Sequence, residues 1–235
     1  GMGAGNPTYE IAMAQTFDVP IYGISLRNGL PGVKHALEII AKEHDCQLFI
    51  SADIGSDTFF TGEETQVCSP LIDAFSVICA SEMSIPGVYA LNGYGGDAEM
   101  HIAHLNRNVG ECMRRGGFLG ASGLTQKDVL DLQKIFDIIG PDDVEQWPQR
   151  AAKGELGVFY CKRLWGVERI PAAAVTFFFD PDVVCAMNPA IQACMDTKTL
   201  QEAEDAIWSQ CGILSETRLA MDLPYPMPPQ VPDQP

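Results

Sequence analysis

The chain reads as an α/β protein: a three-layer fold with a mainly parallel, Rossmann-like sheet and helices on both faces. Three observations predict it. Apolar runs of strand length alternate with helical segments along most of the chain. Those runs are continuously apolar, as strands covered on both faces are. Glycine-rich turns fall where such strands end, which is the edge at which open parallel sheets bind ligands.

Taken in order, residues 7–17 (PTYEIAMAQTF) are expected to form a helix with Pro7 in its first turn. "VPIYGISL" then reads as a strand, and 31–44 as a helix with apolar positions at 33, 36/37, 40 and 41. "CQLFISA" is the next strand. Residues 69–82 follow as a helix with Ser69 at its N-cap and Pro70 at its first position. "PGVYALNG" is a strand, followed by a long helix over about 98–115. "TQKDVLDLQKIFDII" is a helix capped by Thr125 and stopped at Gly140-Pro141. A weaker helix near 144–152, a strand pair around "GVFYCKRLWG" and "AAVTFFFDP", and a helix near 199–211 complete the pattern.

No boundary divides residues 1–222, which are read as a single domain. The last thirteen residues, "LPYPMPPQVPDQP" (223–235), hold six prolines and are expected to be extended, either disordered or draped along a neighbour.

Composition narrows the function classes. With 31 acids against 15 bases, the net charge is −16. Such a surface repels phosphate backbones and anionic membranes, so neither nucleic acid nor membrane is an expected partner. No apolar run approaches the roughly eighteen residues that a membrane-spanning helix requires. The eight cysteines include no C-x-x-C pair, and most sit inside apolar runs such as "FSVICA". They read as reduced buried thiols of a cytoplasmic protein. No Walker A, G-x-S-x-G or H-E-x-x-H motif occurs.

Three glycine-rich loops are expected on one edge of the sheet. "GMGAGNP" precedes the first helix, "ADIGSD" follows one strand, and "NGYGGDAEM" follows another. Glycine lets the backbone approach a phosphate, and a helix N-terminus behind it favours an anion. That reading makes Gly3, Gly5, Gly55, Ser56, Gly95 and Gly96 candidate ligand-binding residues. The second and third loops also carry Asp53, Asp57, Asp97 and Glu99. Carboxylates that converge repel one another unless a cation joins them, so a divalent metal such as Mg²⁺, or a cationic ligand, is expected there. His101 and His104 at i, i+3 would offer a weaker transition-metal pair. Arg107, Arg114 and Arg115 read either as offsetting a helix dipole or as an anion clamp. Asp180 and Asp182 after "FFF" read as a turn around Pro181 rather than as additions to that edge.

With these loops in view, the chain resembles the mainly archaeal domain-of-unknown-function family 1152. The resemblance rests on "DIGSDTFFTGEETQVCSPLIDA", "NGYGGDAEM", "GGFLGASGL", "TFFFDP" and "LSET". The opening "GMGAGN", including Asn6, is similar to that family's first glycine loop. The resemblance implicates Asp53, Gly55, Asp57, Glu63, Glu64, Ser69, Asp73, Asp97 and Glu99. The chain departs from the family pattern at Ser56 and Ala98, where glycines are usual.

The function expected is metal-assisted enzymatic chemistry on a small phosphorylated or nucleotide-like substrate. Asp53, Asp57 and Asp97 would hold the metal, and Glu63, Glu64 or Glu99 would act as general base. The alternative is a non-catalytic protein that binds an amine or nucleotide at the same edge. The partners expected are a small-molecule ligand and, compatible with the sequence, further copies of the chain.

Overall fold

A computed structural model describes residues 8–140, 144–160 and 166–218. Helix α1 spans Tyr9–Phe17 and α2 Gly29–Glu43. Strand β1 (Phe49–Ile54) leads to α3 (Pro70–Glu82), and β2 (Gly87–Asn92) to α4 (Ile102–Arg114). Strand β3 (Phe118–Gly123) precedes α5 (Gln126–Ile139) and the short α6 (Trp147–Ala152). Strands β4 (Gly157–Tyr160) and β5 (Gly166–Arg169) form an antiparallel pair of their own. Strand β6 (Val175–Phe179), α7 (Pro181–Met187), α8 (Pro189–Cys194) and α9 (Leu200–Cys211) follow.

The main sheet has four strands in the order β1-β2-β6-β3 and is mixed. β1 and β2 pair in parallel, whereas β6 is antiparallel to both β2 and β3. Three strands therefore share one direction, but β6 lies between two of them, and a mainly parallel sheet does not describe the hydrogen-bonding pattern. An unbroken run such as "VTFFF" buries equally well in either direction, so its composition carries no information on polarity.

Two further expectations change. "VPIYGISL" forms no strand: Val19, Ile21 and Tyr22 are exposed, and the Tyr22 hydroxyl meets His44 Nε2 at the end of α2. Conversely, "FLGASG" is a strand although its glycines disguise it. Residues 1–7, 141–143, 161–165 and 219–235, the last including the prolines of 223–235, lie outside the described residues.

The core forms around α3, which packs on β1 and β2. Leu71, Phe75 and Ile78 on α3 join Tyr89 and Leu91 on β2, with Phe59 edge-on to Phe179 at 5.0 Å. Because β1 and β2 run in parallel with Asp53 opposite Leu91 and Ile54 opposite Asn92, their C-terminal ends reach the same edge. The loops after them, 55–69 and 93–101, meet there. Asp180 lies at the other end of β6, where it caps α7 by accepting the Asp182 N–H at 2.9 Å. Among the described residues no helix is long and apolar enough to cross a membrane.

Candidate functional site

The two loops are fastened to each other by backbone and by Asp97. The Gly95 N–H donates to the Gly55 carbonyl at 2.8 Å. The Ser56 N–H and hydroxyl donate to the two Asp97 carboxylate oxygens at 2.9 and 2.7 Å. This clasp requires a glycine at 55: its φ is +151°, and a Cβ there would lie 2.5 Å from the Asp97 carboxyl. The Gly55 N–H goes to the Asn92 carbonyl and the Gly96 N–H to Gly93. The amides of Gly55, Ser56, Gly95 and Gly96 are thus all donated within the protein. These glycines serve close packing of the loops.

Behind the clasp, carboxylates converge. Carboxylate oxygens of Asp53, Asp57 and Asp73 lie within 4.8 Å of one another, and among the described residues this is the one group of three or more metal-competent side chains. Asp73, in the first turn of α3, therefore takes the place in the triad that Asp97 was expected to hold. Asp57 is fully buried, while Asp53 and Asp73 keep part of their surface exposed. Asp53 accepts hydrogen bonds from the Thr58 hydroxyl at 2.9 Å and the Tyr89 hydroxyl at 3.0 Å. Among the described residues no lysine or arginine forms an ion pair with Asp53, Asp57, Asp73 or Asp97.

The electrostatic consequence is uniform in sign. Burial pushes the Asp57 carboxyl well above the ordinary carboxylate range, and the charges of Asp73, Asp53, Glu99 and Asp97 push it further. Burial and the Asp53 charge do the same to Asp73, against a hydrogen bond with Asp57. Asp53 is raised by burial, with Thr58 and Tyr89 opposing. Burial and the Glu99 charge push Asp97 up to about 7, against its bonds from Ser56.

Glu99 and Glu216 close the site. Glu99 accepts the Cys68 N–H at 2.8 Å, the Cys68 thiol at 3.1 Å and the Ser69 hydroxyl at 2.9 Å. Ser69 stands at the N-cap position of α3 but makes no capping bond; its hydroxyl turns to Glu99, with Asp57 at 3.5 Å. The cap comes instead from Glu216, which accepts the Leu71 and Ile72 N–H groups at 3.1 and 2.6 Å. Burial raises Glu216 while those two N–H bonds oppose the shift. The sequence motifs point to neither Glu216, beyond its place in "LSET", nor Thr58 and Tyr89. A tyrosine inside an apolar strand and a glutamate some 140 residues away from its helix give no local signal.

Glu63 and Glu64 stand apart from the triad. Glu64 is buried and accepts bonds from the Thr61 N–H at 2.8 Å and from Asn108 Nδ2 at 2.6 Å. Arg107 Nη2 lies 2.8 Å from exposed Glu63 and 3.6 Å from Glu64. Arg114 and Arg115 both pair with Glu111 on their own helix. His101 Nδ1 accepts the Ala103 N–H and caps α4. Gly3, Gly5 and Asn6 lie outside the described residues.

Fold and site define an α/β protein that gathers carboxylates at the ends of two parallel strands. The chain belongs to the family described as "Protein of unknown function (DUF1152)", whose model matches residues 3–223. Comparison with curated proteins and with solved structures returned no match.

Proposed function

We propose that Asp53, Asp57 and Asp73 hold a divalent cation, Mg²⁺ or a similar hard metal, for chemistry on a small phosphorylated or nucleotide-like molecule. The observation that carries this reading is the meeting of three carboxylates within 4.8 Å, with no lysine or arginine among the described residues ion-paired to them. Carboxyl groups so placed must share protons or share a cation. Oxygen ligands at this density suit a hard divalent ion, which keeps open positions for water and phosphate oxygens. On a chain of net charge −16, a phosphorylated substrate approaches most readily as its metal complex. The glycine loops contribute shape rather than amide donors. We read three of the strands, running in one direction, as a Rossmann-like half-sheet with β6 as its antiparallel insertion.

In this scheme the metal supplies Lewis-acid polarisation. Glu99, 2.9 Å from the Ser69 hydroxyl, serves as general base, and Asp97 holds the two loops in register. Glu63 and Glu64 take no part. The test is thermal unfolding of chelator-treated protein with Mg²⁺, Mn²⁺ and Ca²⁺, alone and with nucleotides and phosphorylated metabolites. Saturable stabilisation by a metal, increased by a phosphorylated compound that is then converted, supports the reading. Stabilisation by an amine with no metal response, or by a compound recovered unchanged, favours the non-catalytic alternative.

A further inference from the structure

Among the described residues the sheet has two open edges, and they differ. The β1 edge ends in Asp53 and the carboxylate cluster, so pairing there would bring charge toward charge. The β3 edge is neutral: residues 116–126 (GGFLGASGLTQ) hold no charged side chain in a chain of net charge −16. β3 pairs with β6 on one side and, among the described residues, has no neighbour on the other. Its side chains are exposed as well: Phe118 at 42% and Leu119 at 55%, with Ala121, Ser122 and Gly123 also exposed. Edge strands that remain single are usually blunted by lysine, proline or a bulge; β3 has neither lysine nor proline, and its one register shift lies at its start, between Phe118 and Gly120.

We propose that β3 pairs antiparallel with β3 of a second copy of this chain, joining two four-stranded sheets into one. The occupant follows from charge. Residues 105–115, before the strand, carry Arg107, Glu111, Arg114 and Arg115, a net +2; residues 127–137, after it, carry Lys127, Asp128, Asp131, Lys134 and Asp137, a net −1. A two-fold axis through β3 sets the positive end of each copy toward the negative end of the other, whereas parallel pairing sets like against like. The contact is short, so the dimer forms at the weak end of the interface range.

Sedimentation of the full chain over about 1 to 500 μM gives the test, with micromolar-range dimers expected. Leu119→Lys and Ala121→Lys, both at exposed positions, should each raise the dissociation constant by about tenfold or more with thermal unfolding of the monomer unchanged. Hydrogen exchange on the unsubstituted protein should show amides 119–123 gaining protection as concentration rises. A monomer at every concentration, a dimer indifferent to both substitutions, or a dimer without that protection overturns the proposal.

Discussion

Two acidic corners of this molecule sit close in sequence and behave oppositely. In the first, Glu63 and Glu64 meet Arg107 and Asn108, so each acid has a donor or cation supplied by α4. In the second, Asp53, Asp57 and Asp73 meet one another, and burial together with neighbouring carboxylate charges, Glu99 among them, raises all three carboxyls. The first corner is complete as folded: its acids contribute to holding loop 59–64 against α4. The second is costly as folded, and in the proposed scheme a bound cation would offset that cost. A cluster of acids in sequence is therefore ambiguous, and the basic partner decides which kind it is.

The largest expected effect breaks the architecture under the second corner. Gly55→Ala forces a Cβ into the Asp97 carboxyl at a positive φ and should cost about 3 kcal/mol. Urea unfolding measures it, and a loss well under that would mean that the loops do not depend on the Gly55–Asp97 contact.

The next pair sharpens the contrast directly. Glu64→Gln replaces an acceptor of the Thr61 N–H and Asn108 Nδ2 by a group that also donates, and should cost about 2 kcal/mol. Asp57→Asn removes one of several repelling buried charges and should, in chelator, leave the protein as stable or up to about 1 kcal/mol more stable. If both substitutions destabilise alike in denaturant titrations, the two corners are not different in kind.

Proton linkage gives a third handle. The carboxyls of the second corner have folded-state values above their ordinary ones, Asp97 from 3.8 to about 7. The folded state thus binds more protons than the unfolded state in that window, and the stability these groups contribute is lost as pH rises through their folded values. Metal-free protein should melt at a lower temperature at about pH 8 than at about pH 5, with the metal closing the gap. A metal-free profile rising across that interval would contradict the protonation scheme.

The smallest effect concerns Ala98, a buried residue at φ +61°. Ala98→Gly relieves the backbone but loses a buried methyl and adds chain entropy, so stability should move by less than about 1 kcal/mol. Ala98→Val should cost more than about 2 kcal/mol in the same assay.

Much of the fold was legible because periodicity and capping are local. Thr125 and Asp128 form the capping box that ends the loop before α5, and Pro70 opens α3 as its sequence indicates. The shared edge for "ADIGSD" and "NGYGGDAEM" was legible too, since both follow apolar strands that pair in parallel. Long-range pairing was not legible. Nothing in "VTFFF" says that it runs antiparallel between β2 and β3, and nothing in "VPIYGISL" says that it finds no partner strand. The same limit applied to the site. Asp53 and Asp57 were visible as loop acids, but Asp73 replaces Asp97 in the triad because α3 turns it inward, and Glu216 reaches α3 from the far end of the chain.

The central claim is that the second corner binds a divalent cation, whereas the first already pairs with Arg107. Calorimetric titration of Mg²⁺ or Mn²⁺ into chelator-treated protein at about pH 8, beside Asp57→Asn and Glu63→Gln, tests it most directly. One saturable site with proton release in the unsubstituted protein and in Glu63→Gln, lost in Asp57→Asn, is the result predicted. No binding in any of the three, or equal binding in all of them, would contradict it.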